Sequence, residues 1–190
     1  ELPWPIRRDA LILSKLETKR LRLRPISMAD AVDLLEYHGD DLVVRYIPWE
    51  PRTLLSVRAA IEQYLTLPMA LNHEEDSVVL GWELKTSGKI IGQSNATLLS
   101  LSNQTADVGW VTNRHFWRQG LAFEATQAFQ DHLLTLPNVH RLVANIDTRN
   151  PGSARLAEKL GMRLEVEFKQ AAYTKGEWCD MWIYALLENG

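Results

Sequence analysis

One segment of the sequence combines residue types that suit the binding of a phosphate group. Residues 111–125 read Val-Thr-Asn-Arg-His-Phe-Trp-Arg-Gln-Gly-Leu-Ala-Phe-Glu-Ala. A strand-like run leads into a short basic loop, and the small residues Gly120 and Ala122 permit close approach at a helix start. Helix N-termini attract anions through unpaired N–H groups and the helix dipole, and Arg114 and Arg118 add positive charge. The segment matches neither the P-loop nor the dinucleotide G-x-G-x-x-G pattern, so it predicts an anion site of another kind.

A second segment, residues 150–162, reads Asn-Pro-Gly-Ser-Ala-Arg-Leu-Ala-Glu-Lys-Leu-Gly-Met and predicts a short helix. Asn150 precedes a proline, which is the preferred order for an N-cap followed by the first helical residue, and Gly161 is suited to end the helix. Two interpretations stay open for its polar residues. Asn150 is either a plain N-cap or a ligand contact, and Ser153 is either an ordinary first-turn serine or a chemical group.

The elements that must position these two segments follow from hydrophobic periodicity and turn residues. Gly109 indicates a bulge or a close backbone approach within its strand. The order strand, two helices, three strands, helix, strand, helix and two strands predicts an α/β domain around a mixed sheet. The predicted strands are 20–24, 77–85, 89–101, 105–112, 140–146, 164–169 and 178–187, and the predicted helices begin after Ser27 and Thr53 and cover 120–136 and 150–161.

Composition limits the classes to which the protein can belong. The chain has 190 residues, 46% of them hydrophobic and 24% charged, which predicts a single domain over 1–190. We find neither a secretory leader nor an apolar run near the roughly 20 residues of a membrane span, so we expect no membrane association. One cysteine, Cys179, excludes an intrachain disulfide and favours a cytoplasmic location. A net charge of −3 argues against nucleic acid, and the scattered histidines predict no metal site.

Charge is unevenly distributed along the chain. Residues 1–26 carry 7 basic and 3 acidic residues (+4), residues 27–83 carry 3 and 11 (−8), and residues 84–190 carry 11 and 10 (+1). The acidic stretch is either a set of solvated helix faces or a surface that attracts a cationic amine.

Residues 117–125 and 150–162 together resemble the GNAT superfamily of N-acetyltransferases, and more narrowly its Rim-type branch, which acetylates N-terminal residues of ribosomal proteins and has relatives with other acceptors. The resemblance covers about residues 18–187 and leaves 1–17 as an N-terminal extension. It implies a mixed, mostly antiparallel sheet of about seven strands flanked by four helices. It also implies direct transfer of an acetyl group from the thioester of acetyl-CoA to an amine, by a monomer or a homodimer.

The resemblance assigns the cofactor contacts residue by residue. Pantetheine would pair with the strand edge near Val111 and Thr112, opened by a bulge expected over 109–111, where a main-chain N–H would polarise the thioester carbonyl. Asn150 would bind the pantetheine region. The pyrophosphate would lie on the backbone amides of Arg118, Gln119, Gly120, Leu121, Ala122 and Phe123.

The same resemblance implies the catalytic groups. Ser153 would hydrogen-bond the CoA sulfur and assist its departure as a thiol, and Ala157 stands where many family members carry a tyrosine acid. Ala172 stands where some Rim-type enzymes carry a glutamate base, so that carboxylate is absent. Three carboxylates are possible replacements, each of which can also be a structural or surface residue: Asp107, which fits best, Glu83 and Glu50.

The acceptor site is the least determined part of the sequence. Trp49 lies in a Pro-Trp-Glu-Pro loop, which in GNAT folds overhangs the acceptor. Trp49 and Trp110 are therefore expected as walls of an acceptor pocket beside Glu50, although both can also be core residues. A cation with an apolar body would suit aromatic walls beside an acidic surface. The alternative to an enzyme is a GNAT-fold domain that binds acyl-CoA as a sensor or interaction module, which the alanine at 172 favours.

Overall fold

The computed structural model describes residues 16–188, whose secondary-structure elements follow one another in the expected order. Short 3₁₀ turns at Met28–Asp30 and Arg114–Phe116 precede α1 and α4. The strands are β1 (Leu16–Glu17), β2 (Leu21–Pro25), β3 (Ser77–Leu84), β4 (Ile90–Ser100), β5 (Thr105–Thr112), β6 (Arg141–Asp147), β7 (Arg163–Thr174) and β8 (Glu177–Leu187). The helices are α1 (Ala31–His38), α2 (Asp41–Val44), α3 (Leu54–Leu65), α4 (Leu121–Leu133) and α5 (Pro151–Lys159).

The strands form one sheet in the order β1-β2-β3-β4-β5-β6-β8-β7. Only the β5–β6 pair is parallel. Parallel neighbours need a crossover connection, and α4 supplies it. The parallel pair therefore lies at the centre of an otherwise antiparallel sheet, beside the helix whose start was expected to bind an anion.

Helices cover both faces of this sheet and bury two separate cores. On one face, α4 and α5 pack on alternate residues of the central strands, including Ala106 and Val108 of β5. On the other face, α1 and α3 pack on the intervening residues, including Val79 of β3 and Val111 of β5. The period-two alternation of strand side chains thus decides which helix pair each residue meets. None of the described helices is both long and apolar enough to cross a membrane.

The predicted class, a mixed and mostly antiparallel sheet flanked by helices, is confirmed, and residues 16–188 contain eight strands and five α-helices where about seven and four are predicted. The extra elements, β1 and α2, span two and four residues, too few to show a hydrophobic period. Because Leu16–Glu17 pairs with β2, the predicted extension over 1–17 reaches two residues into the sheet. Its remainder, including Trp4, lies outside the described residues.

The bulge expected over 109–111 is wrong. Residues 109–111 pair with residues 93–95 of β4 in continuous register, and the irregular step of this ladder lies between Leu98 and Ser100. The close neighbour of Gly109 is a side chain and not a backbone, because a Cβ atom there would lie 2.7 Å from Oδ1 of Asn95. The open strand edge that the bulge was expected to create must therefore have another cause.

Candidate active site

The sheet opens because β5 and β6 diverge. They pair only from Thr105–Asp107 to residues 141–143. Beyond that point β5 stays paired with β4 as far as Thr112, and β6 stays paired with β8 as far as Asp147. Residues 108–112 and 144–147 therefore face each other across a gap, where neither strand offers the other a hydrogen-bond ladder.

Antiparallel pairing determines which backbone groups of β5 face the gap. The Asn113 N–H donates to the Ile91 carbonyl at 2.8 Å, and the register between β4 and β5 is continuous from there to Asp107. Because hydrogen-bonded and non-hydrogen-bonded positions alternate, the Val111 N–H points toward β4, whereas those of Trp110 and Thr112 point toward the gap. The backbone of Val111 is therefore turned away from the gap, and its two neighbours present the N–H groups that a ligand in the gap could reach.

The loop after β5 presents six consecutive unpaired amides. Within residues 16–188, none of the N–H groups from Arg118 to Phe123 donates a hydrogen bond, and the ladder of α4 begins with the Glu124 N–H donating to the Gly120 carbonyl at 3.0 Å. Arg118 has φ +60° and Gly120 has φ +74°, so the chain turns twice through the left-handed region before the helix. Gly120 meets this requirement without a Cβ penalty. Unpaired amides before a helix are suited to bind an anion, and residues 118–123 are here called the anion seat on that ground.

Arg20, which the sequence did not single out, holds this loop in place. Its guanidinium donates to the Gln119 carbonyl at 2.9 Å and to Oε2 of Glu124 at 2.6 Å. The Glu124 carboxylate also accepts from the Thr18 hydroxyl at 2.6 Å. Together with the Arg20 N–H, these groups keep the pKa of Glu124 below its ordinary value despite partial burial. In the sequence Arg20 is one member of an alternating Arg-Leu strand, which gives no sign of this contact.

The two arginines expected beside the anion seat differ in their surroundings. Arg114 forms an ion pair with Asp40 at the start of α2, so part of its charge is already matched, and its contribution to the anion seat stays a prediction. Arg118 is exposed and has no partner among the described residues. Trp117 is half exposed, and its indole N–H donates to the Thr112 carbonyl at 2.9 Å. This bond ties the loop to the end of β5.

Helix α5 begins where β6 leaves the gap. Asn150 is its N-cap, with the side-chain oxygen accepting the Ser153 N–H at 3.1 Å. The capping interpretation of Asn150 is therefore confirmed, and its amide NH₂ has no partner within residues 16–188. The Ser153 hydroxyl likewise makes no hydrogen bond to the described residues. Lys159 lies 4.4 Å from the ring centroid of Phe123, so α5 contacts the first turn of α4.

Asp107 lies at the apex of the gap, in the last paired position of β5 with β6. Its Oδ1 accepts from the Asn145 side chain of β6 at 2.7 Å. Burial raises the pKa of Asp107, and the Asn145 hydrogen bond opposes that rise. The carboxylate has no cationic partner among the described residues, so it differs from the paired acids elsewhere in the chain. Asn145 carries no sequence signal for this contact.

The other two carboxylates considered as bases have different settings. Glu83 is held by the guanidinium groups of both Arg22 and Arg24, which keep its pKa below the ordinary value, so its candidacy as a base is wrong. Glu50 is exposed in the segment after α2. Ala172 pairs with Cys179 beside a break in the β7–β8 register, and no carboxylate side chain replaces it at that position.

Residues 44–52, here called the bridging segment, cross the gap on the face opposite α4 and α5. At one end the Lys175 ammonium of the β7–β8 turn donates to the Val44 carbonyl at 2.8 Å, and the Arg149 guanidinium lies 5.7 Å from the Tyr46 ring centroid. At the other end Arg52 donates from its N–H to the His38 carbonyl at 2.9 Å. The segment is thus anchored on both sides of the gap.

His38 connects the bridging segment to β4. Its Nε2 lies 2.9 Å from Oε1 of Gln93, whose backbone pairs with Val111, and its Nδ1 lies 3.1 Å from Nη1 of Arg52. Burial lowers the pKa of His38 to about 4, so the ring is neutral at pH 7 and Nδ1 accepts from Arg52 while Nε2–H donates to Gln93. Trp49 packs on the same ring at 5.6 Å.

The two tryptophans expected to wall one pocket lie on opposite faces. Trp49 packs against the core under α1 and α3, and Trp110 packs against the core under α4 and α5. Strand alternation explains the separation, because Trp110 shares the face of Val108 rather than that of Val111. The structure therefore brings Trp49 and Glu50 together on the bridging segment and leaves the Trp110 side chain out of a shared pocket.

Comparison with known proteins gives the family. The family model described as an acetyltransferase (GNAT) domain matches residues 20–163. The chain is 31% identical over 174 residues to the uncharacterized N-acetyltransferase YnaD of Bacillus subtilis (strain 168), which spans 92% of this chain and 97% of that protein. It is 26% identical over 182 residues, 90% of either chain, to the ribosomal protein uS5-alanine N-acetyltransferase of Escherichia coli (strain K12).

Solved structures of acetyltransferases have a similar fold. An acetyltransferase (GNAT family) from Bacillus anthracis superposes with a TM-score of 0.80 at 27% identity, covering 93% of this chain and 99% of that one. RimL, a ribosomal L7/L12 alpha-N-protein acetyltransferase in complex with coenzyme A, shares the fold with a TM-score of 0.79 at 18% identity, covering 92% and 98%. With a family model over most of its length and relatives that span it, the chain belongs to the GNAT acetyltransferases, enzymes that transfer an acetyl group to an amine.

Proposed function

We propose that the protein transfers an acetyl group from acetyl-CoA directly to an amine acceptor bound on the other side of the gap. The observation that carries this proposal is the run of six amides from Arg118 to Phe123, none of which donates a hydrogen bond to the described residues. These amides lie in the loop and first turn of α4 that follow the open edge of β5. The amides and the Arg118 guanidinium suit the pyrophosphate, and the open strand edge suits the amide-containing pantetheine arm.

A residue of this chain is suited to assist each chemical step of the transfer. Acetyl-CoA supplies the acetyl group as a thioester. The Trp110 N–H, which faces the gap, is suited to polarise the thioester carbonyl as the amine nitrogen bonds to its carbon. The Ser153 hydroxyl donates a hydrogen bond to the sulfur as the C–S bond breaks, and a proton from solvent converts the departing thiolate to the thiol. Asp107, directly or through water, accepts the proton that the amine loses.

The environment of Asp107 favours an α-amine over a lysine side chain as the acceptor. Burial raises the pKa of Asp107, but Asn145 opposes the rise and no second carboxylate stands nearby on β5. An α-amine titrates near 7.7–8.0 and a lysine near 10.4, so deprotonating lysine at pH 7 costs roughly 3 kcal/mol more. The named relatives that act on ribosomal proteins agree with a peptide N-terminus, and small amines of low pKa meet the same requirement.

A thiol-release assay tests the proposal. Purified protein is mixed with acetyl-CoA and a panel of peptides and small amines, free thiol is followed with a chromogenic disulfide, and products are identified by mass spectrometry. We expect release that depends on added amine, together with a product heavier by one acetyl group. Binding of CoA without amine-dependent release would instead identify an acyl-CoA sensor, the other function considered from the sequence.

A further inference from the structure

The bridging segment carries two arginines that lack an acidic partner. Arg45 is exposed, with its guanidinium 5.3 Å from the Tyr46 ring centroid, and Arg52 lies 4.7 Å from the Trp49 ring centroid. Among the described residues neither is within ion-pair distance of a carboxylate. A guanidinium stacked on an aromatic ring keeps its N–H edges free and already oriented for a carboxylate or phosphate.

Arg52 is held in place without losing its charge. Its one side-chain hydrogen bond is to Nδ1 of His38, and that ring is neutral because burial lowers the pKa of His38 to about 4. The His38 ring is fixed in turn by Oε1 of Gln93. A neutral acceptor orients a guanidinium, whereas a carboxylate would also cancel its charge. The other side-chain N–H groups of Arg52 make no hydrogen bond to the described residues.

Lys175 adds a third cation at the other end of the segment. Its ammonium donates to the Val44 carbonyl and has no carboxylate partner among residues 16–188. The opposing charge on the segment itself is the exposed carboxylate of Glu50. Arg149, beside Tyr46, is neutralised by Asp147 and Glu177 at 2.7 and 2.6 Å.

The acidic stretch over residues 27–83 does not offset the positive charge of the bridging segment, because most of its carboxylates near the sheet are already paired with cations. Asp30 and Glu83 pair with arginines of β2, and Asp40 pairs with Arg114. Asp33 and Glu36 share Lys89. The expectation of an acidic surface that draws in a cation therefore finds no counterpart on the bridging segment, and the half-buried rings of Tyr46 and Trp49 already have the chain's own arginines against them.

We propose that the amine acceptor carries an anionic group, a carboxylate or a phosphate, close to its reacting nitrogen, and that Arg52 binds that group, while Arg45 and Lys175 at the other end of the bridging segment add positive charge that attracts it. This inference rests on the proposed function, since the acceptor is taken to enter beneath the bridging segment. Charge-assisted bonds to a stacked, pre-oriented guanidinium give both affinity and register to a small acceptor. The acceptor's anion would then orient its amine toward the gap.

Matched acceptors test this proposal. Three short peptides are compared that differ only at the second residue, which is asparagine, aspartate or phosphoserine, and kcat and KM are measured at pH 7.5 and low salt. We expect kcat/KM to be at least tenfold higher for an anionic peptide than for the asparagine peptide, chiefly through KM. The aspartate and phosphoserine arms separate carboxylate from phosphate recognition.

Substitutions in the protein assign the effect to its residues. Arg52→Ala should reduce the anionic preference severalfold, Arg45→Ala should reduce it less, and Arg52→Glu should abolish or invert it. Arg58→Ala is the matched control, because Arg58 is an exposed arginine on α3 away from the bridging segment, and it should leave the preference unchanged. A preference that survives in Arg52→Ala would overturn the proposal, as would equal kcat/KM for all three peptides.

Failure of the proposed function gives a different result. If neither the peptides nor the small amines of the panel are acetylated, the proposed function is overturned, and calorimetric titration of the same peptides into the CoA-saturated protein still decides this inference. Tighter binding of the aspartate or phosphoserine peptide than of the asparagine peptide would support anion recognition, and equal affinities would contradict it.

Discussion

At the scale of single residues, what matters is which polar groups the fold leaves unpaired. The side-chain oxygen of Asn150 is used as a helix cap, whereas the Ser153 hydroxyl three residues later has no partner among the described residues. Glu83 is neutralised by two arginines, whereas Asp107 has only the amide of Asn145. Ser153 and Asp107 therefore retain the capacity to donate and to accept a proton, and the chemistry is assigned to them on that ground.

Ser153→Ala should lower kcat at least severalfold while the KM for acetyl-CoA stays nearly constant. The hydroxyl acts on the leaving sulfur, whose charge develops only during the reaction. Steady-state kinetics with saturating amine provides the measurement, and Ser153→Thr, which keeps a hydroxyl, should retain more activity than the alanine variant. An unchanged kcat in Ser153→Ala would remove this residue from the mechanism.

Asp107→Asn should reduce kcat/KM for the amine at least tenfold at pH 7, and the loss should shrink as the pH rises through the pKa of the amine. Above that pKa the free acceptor is already neutral and depends less on a base. The pH profile of kcat/KM provides the measurement. Asn145→Ala removes the hydrogen bond that lowers the pKa of Asp107, so its acidic limb should move to higher pH. Identical profiles for wild type and Asn145→Ala would contradict the assignment.

His38 should make the folded state sensitive to acid. Its pKa is about 4 when folded and 6.5 when unfolded, so the unfolded chain takes up the proton first as the pH falls. The free energy of unfolding should therefore drop by about 2 kcal/mol between pH 7 and pH 5 on account of this ring. Urea denaturation at the two pH values measures the drop. His38→Gln should show a drop smaller by about that amount, and an equal drop in both proteins would refute the account.

At the scale of elements, the cofactor side of the site depends on two features of backbone geometry. The first is the divergence of β5 from β6 after Asp107, which leaves a strand edge open in the middle of the sheet. The second is the pair of left-handed residues, Arg118 and Gly120, that direct six amides outward before α4 begins. Arg20 fixes the second feature from a neighbouring strand through the Gln119 carbonyl.

Gly120→Ala should weaken CoA binding severalfold, since an alanine is strained at φ +74° and would shift the amides that follow it. Gly88→Ala is the matched control, because Gly88 has φ +73° with no atom near its Cβ position and lies in the β3–β4 turn. Both variants should lose about 1 kcal/mol of stability. Calorimetric titration of CoA measures the difference between them, and equal affinities for the two variants would contradict the anion seat.

At the scale of the whole molecule, the order of the elements and the place where α4 begins could be predicted because they depend on local signals. Hydrophobic period identifies α4, and N-cap chemistry identifies the start of α5. The divergence of β5 and β6 depends on long-range pairing, which leaves no local pattern, and so a bulge over 109–111 was expected instead. The same reason hides the partners of Arg20, Asn145 and His38.

The charge of the site could not be predicted from the sequence for the same reason. A sum over residues 27–83 gives −8, yet it counts carboxylates that the fold pairs with β2 and Lys89. The bridging segment then presents Arg45 and Arg52 where an acidic surface was anticipated. Net charge along a sequence describes long-range attraction, whereas the charge at a site depends on which ions the fold has already matched.

The central claim, direct transfer across the gap between β5 and β6, is tested most directly by initial-rate kinetics in which acetyl-CoA and amine are varied together, with the intact protein weighed after exposure to acetyl-CoA alone. The lone cysteine, Cys179, is buried beside Arg149, so no covalent acetyl-protein is expected. The account predicts intersecting double-reciprocal lines, thiol release only in the presence of amine, and no change in protein mass. Parallel lines together with a protein heavier by one acetyl group would contradict it.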